Sequence, residues 1–312
     1  MIQSLRNLWT WTCMASSMLV LAGCSNGPGA RFYPKPEPVA PRVSNTPTSV
    51  ELVAHLNQQA QDVKALEAQD LSIKASQGGI NEYSLKGMLL YQKPRNFRLV
   101  AEALRKTEAD FGSNDREFWF FINRSDPRAL YHCAYSDYQK GTSAPLSVQP
   151  EWVADALCVQ ELNPNEPYQL RPINNQAVEL ITLMNPGQTQ NPVYKVIVVA
   201  LRGPNAGRIV LQKLVQKVPQ GKGKDDWQDL WVAEIHEYQN VQGYVVPHRM
   251  TLRSGIDKTT LKLTLDGCQV NPPGLMTSQT LNSFVRPTVG APEIDLAKYS
   301  VPSQTASHPR SR

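Results

Sequence analysis

Apolar residues recur along this chain with two different periods. After a Thr-x-x-Glu capping box that starts at Thr48, they return every three or four positions as far as about Leu66, which predicts an amphipathic helix. From Leu71 onward the period is two, which predicts strands. The alternating segments are Leu71 to Ile73, Gly87 to Tyr91, Phe97 to Ala101, Phe118 to Ile122, Tyr194 to Leu201, Arg208 to Lys213, Trp231 to Tyr238, Tyr244 to Leu252 and Thr259 to Leu265.

The connections between the later strands are short and polar, as in residues 221–226 and 254–258. Consecutive strands with connections of hairpin length pair antiparallel, and their alternation leaves one face of the sheet apolar. The chain is therefore predicted to be mainly β (α+β), with a large curved antiparallel sheet or a half-open β-barrel and an N-terminal helix.

A mixed segment, residues 126–190, interrupts the strand pattern. Within it, Pro150 is placed to begin a short helix whose apolar face includes Trp152. This segment is interpreted as a short helical lid or as an insertion into the sheet.

Residues 1–23 have the pattern of a signal peptide. A polar start with Arg6 precedes an apolar stretch that runs to Gly23 and is short for a transmembrane helix. The stretch ends in Leu-Ala-Gly-Cys24, which resembles the lipobox of bacterial lipoproteins; a secretory signal followed by a chance cysteine is the alternative. We expect cleavage before Cys24 and lipidation of its thiol, and two or more acyl chains would hold the protein firmly to a membrane.

Proline-rich segments flank the predicted folded domain, residues 48–287. Residues 24–47 contain six prolines, which exclude a helix or a central strand and predict an extended tether, with plain disorder as the alternative. Residues 288–312 lose apolar density and gain prolines, so this tail is predicted to be disordered.

Charge and cysteine content narrow the function further. The net charge is +5, and the basic residues are scattered among acidic ones, so nucleic acid is not an expected partner. Once the signal peptide is removed and Cys24 is lipidated, Cys133, Cys158 and Cys268 remain. A disulfide between Cys133 and Cys158 and three free, buried thiols are both compatible with the sequence.

No pattern in the chain predicts an enzyme. Glu234 and His236 lie two apart on one strand face, and His132 adjoins Cys133, but the first pair has no third metal ligand and the second would point to opposite faces of a strand. A phosphate-binding loop and a nucleophile elbow are absent from the sequence. We therefore predict no catalytic residues, no metal and no cofactor.

Several spaced motifs resemble the LolA/LolB-type family of lipoprotein carriers. They are a helix followed by Gly87, then Lys93-Pro94-Arg95, Phe97-Arg98, Asn114-Asp115 and Phe118-Trp119. The resemblance implies an unclosed β-barrel that is capped by helices and shelters acyl chains on its concave face. It also implies that Lys93 helps to hold a lid, for which the short helix with Trp152 is the candidate. The residues expected to line the acyl chain are Leu89, Tyr91, Phe97, Leu99, Phe118, Phe120, Trp231, Ile235 and Met250.

Two functions are compatible with these patterns. The first is a lipid-anchored envelope protein that binds an acyl chain or a lipidated partner without catalysis. The second is an anchored structural or interaction lipoprotein whose core is filled by its own side chains. An apolar cavity roofed by the Trp152 segment would favour the first, and a packed interior with Trp119 and Phe121 exposed would favour the second. Ser25 after the anchor favours the outer membrane, facing the periplasm.

Overall fold

The protein is described by a computed structural model over residues 46–138, 150–184, 192–217, 227–277 and 282–298. The predicted signal peptide, Cys24 and nearly all of the predicted tether lie outside these residues, as do the connection at 221–226 and the last residues, 299–312. The helices of the described part are α1 (Ser49–Ala60), α2 (Tyr135–Tyr138) and α3 (Pro150–Ala156), with a 3₁₀ turn at Pro273–Met276.

The described residues form fourteen strands in one curved sheet whose two edge strands do not pair with each other. The strands are β1 (Ala65–Gln77), β2 (Ile80–Gln92), β3 (Asn96–Ala103), β4 (Lys106–Ser113), β5 (Glu117–Ile122), β6 (Leu130–Ala134), β7 (Gln169–Pro172), β8 (Ala177–Leu183), β9 (Val193–Ala200), β10 (Ile209–Lys217), β11 (Trp227–Val241), β12 (Tyr244–Ser254), β13 (Thr259–Val270) and β14 (Glu293–Asp295). Their order is β14-β6-β5-β4-β3-β2-β1-β13-β12-β11-β10-β9-β8-β7. The predicted mainly β fold with a large antiparallel sheet is confirmed.

Helix α1 begins as predicted and ends earlier than predicted. The Thr48 hydroxyl accepts from the amide of Glu51 at 3.2 Å, and the Glu51 carboxylate accepts from the amide of Thr48 at 2.8 Å. The predicted end near Leu66 is wrong, because the helix stops at Ala60 and strand β1 starts at Ala65. The side chain of Asn271 holds this turn by accepting from the amides of residues 64 and 65 at 2.7 and 3.0 Å.

Strand β1 starts at Ala65, six residues before the predicted start at Leu71. The prediction missed these residues because a bulge changes the alternation of inward and outward side chains. Leu66 and Ala68 point into the core, and after the irregularity between Ala68 and Leu71 the inward positions become Leu71 and Ile73. A period of two counted backwards from Leu71 therefore misses the first half of the strand.

The mixed segment at 126–190 contributes three strands to the sheet as well as the short helix α3. Strand β6 extends one side of the sheet, β7 and β8 extend the other, and α3 packs inside the curve. The segment is therefore not an insertion that lies outside the sheet.

The C-terminal segment crosses the convex face of the sheet. Phe284 packs on Leu90, Val289 and Ala291 pack on Trp119 and Phe121, and β14 then pairs in parallel with β6. The predicted disorder of the tail is wrong for residues 288–298, because these apolar contacts and the backbone pairing order it. Trp119 and Phe121 are thereby buried instead of exposed.

The described cysteines do not pair. Cys133, Cys158 and Cys268 are all free thiols. Burial raises the pKa of Cys158 and of Cys268 to about 11, so both are protonated thiols at neutral pH.

Candidate functional site

The concave face of the sheet carries one large apolar cluster, which we call the concave core. It combines inward residues of β1–β4 with those of β10–β13, and the apolar face of α3 lies in the middle of it. From α3 the cluster receives Val153, Ala154 and Ala156, followed by Leu157 and Val159. A second cluster lies beneath α1, where Leu52, Val53 and Leu56 pack on β8–β11. The two helices thus cover different parts of one trough.

The structure brings together most of the residues predicted to line an acyl chain. Of the predicted residues, six belong to the concave core: Leu89, Tyr91, Phe97, Leu99, Trp231 and Met250. A seventh, Phe120, is partly buried and packs against it. Ile235 is instead buried under α1, and Phe118 belongs to a separate cluster with Cys133 and Leu296 near the β6 edge. Both residues lie on the concave face, but the curvature of the sheet separates them from the concave core. Residues on the same face of a curved sheet therefore need not line the same site.

We call residues 150–162, which contain α3, the lid. Its apolar side is buried, and the ring of Trp152 lies 6.2 Å from that of Trp231. Its edges are tied to the sheet by polar contacts. Asp155 pairs with Lys195 at 2.6 Å, and its carbonyl accepts from Gln212 at 2.8 Å.

Lys93, which the sequence also predicted to be related to the lid, contacts the end of the lid. Its ammonium donates to the carbonyl of Ala60, the last residue of α1, at 2.8 Å and to the carboxylate of Glu161 at 3.0 Å. The side chain of Asn57 exchanges two hydrogen bonds with the backbone of Leu162, at 2.7 and 2.8 Å. Lys93 and Asn57 therefore join the end of the lid to α1.

Two hydrogen-bond donors inside the concave core have no partner among the described residues. They are the hydroxyl of Tyr91 and the indole nitrogen of Trp231, whose side chains are fully buried. A buried polar group without a partner costs about 1–3 kcal/mol, so both atoms favour an occupant that can accept a hydrogen bond.

The start of the lid contains a buried acid that the sequence analysis missed. Glu151 accepts a hydrogen bond from the hydroxyl of Tyr135, while its other carboxylate oxygen is buried and has no partner among the residues that the structure describes. The guanidinium of Arg95 lies 4.3 Å above the ring of Tyr135. Burial raises the pKa of Glu151, which its bond to Tyr135 and the charge of Arg95 only partly oppose. The signal in the sequence was an acid that directly precedes Trp152, at the start of a short helix with an apolar face.

This acid leads to a prediction about pH. Because the pKa of Glu151 is higher in the folded state than in the unfolded chain, its contribution to stability is present in acid and lost as the pH rises through the folded-state pKa. We expect Glu151→Gln to raise the melting temperature at pH 7.5 and to leave it nearly unchanged at pH 4. The amide keeps an acceptor for Tyr135 and removes the buried charge.

The control for this prediction has the opposite sign. The pKa of Glu234 is lowered, first by its hydrogen bond to Arg253, so its contribution is present at neutral pH and lost in acid. Glu234→Gln should therefore lower the melting temperature at pH 7.5. A melting temperature of Glu151→Gln that falls at pH 7.5 as well would contradict the assignment of a buried, destabilising charge.

The residue pairs considered for catalysis have structural contacts instead. Glu234 pairs with the guanidinium of Arg253 at 3.0 Å, and His236 bonds the hydroxyl of Thr251 at 2.8 Å. His132 and Cys133 point to opposite faces of β6, as successive strand residues do.

Two further properties concern the described residues. They contain no group of three or more His, Cys, Asp or Glu side chains arranged to hold a metal ion. None of their helices has the length and apolar character needed to span a membrane.

Comparison with known proteins gives only remote likenesses. No family model and no curated protein matches the chain. Among solved structures, it is similar to a DUF1329 family protein from Desulfovibrio piger (9% identity, TM-score 0.47, 74% of this chain and 97% of that one). It is also similar to a putative outer membrane lipoprotein-sorting protein domain from Vibrio parahaemolyticus (11% identity, TM-score 0.47, 75% of this chain and 96% of that one). A LolA superfamily protein from Nitrosomonas europaea gives 12% identity, a TM-score of 0.42 and coverage of 73% and 98%.

Proposed function

We propose that this chain is a lipid-anchored envelope protein, held to the outer membrane through Cys24, that binds an acyl chain or a lipidated partner in the concave core without catalysis. The observation that carries the proposal is the lid: an apolar helix fills the trough and is tied to it at its edges by polar contacts. Moving the lid outward would open an apolar trough that contains two unpartnered donors.

The energies are compatible with such an exchange. Each methylene transferred from water contributes about 0.8 kcal/mol, so ten contribute about 8 kcal/mol. Each hydrogen bond lost at the edge of the lid costs about 1 kcal/mol. A lid that moves outward and packs on the bound chain keeps its own apolar side buried, so the chain replaces lid contacts without exposing them.

The alternative is an anchored interaction protein whose concave core is permanently filled by its own side chains. The packing of the lid against both halves of the sheet favours this reading, since α3 contacts β3, β4 and β5 on one side and β11 on the other. The two functions differ in whether the lid opens.

The test is to loosen the lid at one ion pair. We use the full chain with Cys24→Ala, so that no anchor lipid competes, and measure binding of palmitate and a palmitoylated peptide by native mass spectrometry and titration. Lys195→Ala removes the partner of Asp155 and destabilises the closed lid. We expect about fivefold tighter binding, because a closed state weakened by about 1 kcal/mol opens more often.

The matched control is Lys262→Ala, which breaks an exposed ion pair with Glu82 away from the lid. It should bind as the parent does. If the parent and Lys195→Ala both stay free of ligand at high palmitate, the carrier-like proposal is wrong and the self-filled alternative stands. Tighter binding by both lysine variants would mean that the lid is not the element that opens.

A further inference from the structure

A cavity of about 590 Å³ lies on the convex face of the sheet, on the side away from the lid. It is formed by β2–β5 and covered in part by Pro287–Val289 of the C-terminal segment. Its walls include Met88, Val100 and Phe121, whose side chains point to the face opposite the concave core. The cavity therefore has an apolar patch within a largely polar lining, and it is separate from the concave core.

Three cationic side chains line this cavity. Arg98, Lys106 and Arg128 contribute three positive charges, against the carboxylates of Glu102 and Asp110. Asp110 and Arg98 neutralise each other, because the Asp110 carboxylate accepts from the guanidinium of Arg98 at 2.9 Å; it also accepts from the indole of Trp119 at 3.2 Å. The remaining positive charges are those of Lys106 and Arg128, against Glu102.

All three cations have donors left for a ligand. The ammonium of Lys106 is exposed and forms no hydrogen bond or ion pair with any described residue. Arg128 donates to the side-chain oxygen of Asn123 at 2.9 Å and to the carbonyl of Gly290 at 3.3 Å, which uses two of the five donors of its guanidinium, and it extends across the ring of Phe121 at 5.2 Å. The Nε of Arg98 is buried and has no partner among the described residues. An anionic group would complement this side of the cavity.

The hairpin beside the cavity has an apolar tip. Leu104 is 98% exposed, and it joins the cavity residues Glu102 and Lys106. Leu104 and Arg105 both have positive φ, at 50° and 63°, a backbone conformation that side chains of this kind rarely adopt. Exposed leucine next to two basic residues suits contact with an anionic membrane surface better than contact with water.

We propose that this convex cavity binds the headgroup of an anionic phospholipid. The phosphate would lie against Lys106, Arg128 and Arg98, and the glycerol with the start of its acyl chains would pack on Val100 and Met88. This site is distinct from the concave core, and it would orient the hairpin tip towards the membrane surface.

The test uses dihexanoyl phosphatidylglycerol as a monomer, titrated calorimetrically into the full chain with Cys24→Ala. Lys106→Glu should weaken binding about tenfold, as the loss of a hydrogen bond to a charged group predicts. Val100→Phe should weaken it by filling the cavity. Lys64→Glu is the matched charge reversal at the opposite end of the strands, and Lys195→Ala alters only the lid; both should bind as the parent does.

Other results would overturn the proposal. They are the absence of binding by the parent, equal weakening by Lys64→Glu and Lys106→Glu, or equal affinity for dihexanoyl phosphatidylcholine. Inorganic phosphate bound as tightly as the lipid would show a site for a free anion and would exclude a lipid headgroup. Because the side chain of Lys106 is exposed and forms no hydrogen bond or ion pair with any described residue, its variant remains informative even where Val100→Phe unfolds.

Discussion

Asp110→Ala is expected to cost the fold about 3 kcal/mol, because it leaves a largely buried guanidinium without its counter-charge. The side chain of Asp110 is 3% exposed, and that of Arg98 is 20% exposed. Arg98 would keep only its bond to the carbonyl of Ser283, at 3.0 Å, and the indole of Trp119 would lose its acceptor. Urea denaturation followed by tryptophan fluorescence measures the loss.

Two control variants show what the charge contributes. Asp110→Asn keeps an acceptor for Trp119 and removes the charge, so its loss should be intermediate. Glu82→Ala removes an exposed carboxylate that pairs with Lys74 and Lys262, and it should leave stability unchanged. If Asp110→Ala were as stable as Glu82→Ala, water would have to hydrogen-bond the guanidinium of Arg98 in place of Asp110. The convex face around Arg98 would then be more accessible to solvent than the structure shows.

Cys24→Ala is expected to abolish the lipidated, mature form of the protein completely. In the proposed lipidation, the thioether that carries the diacylglycerol forms at this thiol, and alanine has no nucleophile for it. Intact mass spectrometry of protein from a bacterial membrane fraction should show the parent starting at a lipid-modified Cys24 and the variant lacking both the cleavage before residue 24 and the added lipid.

The matched control is Cys13→Ala, which removes the other cysteine of the N-terminal region from within the apolar stretch. It should be cleaved and lipidated like the parent, because it leaves the Leu-Ala-Gly-Cys24 pattern intact. Cleavage elsewhere, with no lipid on Cys24, would indicate an ordinary secretory signal and remove the anchor from the proposed function.

The periodic patterns predicted the local structure correctly at the start of α1 and along strand β11. The capping box placed the start of α1, and the alternation of Trp231, Ala233 and Ile235 predicted a strand whose inward side chains are buried. Alternation sufficed because side chains on a strand point to opposite faces, so that burying one face selects every second residue.

The same patterns were misleading where distant residues decide the outcome. The helical pattern of the sequence continues beyond Ala60 with no glycine or proline to end it. The helix ends there because Lys93 donates to the carbonyl of Ala60 and Asn271 donates to the carbonyl of Asp62 in the following turn. The tail after Pro287 has too few apolar residues to predict order, yet Val289 and Leu296 find buried sites on the sheet. Such contacts join residues far apart in the chain, and no local period encodes them.

The candidate site divides in the same way. The sequence by itself determined that the chain has an apolar sheet face, a short helix at Trp152 and a lipobox-like Cys24, because each of these is a local arrangement of residue types. Only the tertiary structure decided that Ile235 and Phe118 lie outside the concave core, that Asp155 ties the lid to Lys195 of β9, and that Glu151 bonds to Tyr135 of α2. The curvature of the sheet sets these distances, and curvature arises from the sum of strand twists and bulges over the whole sheet.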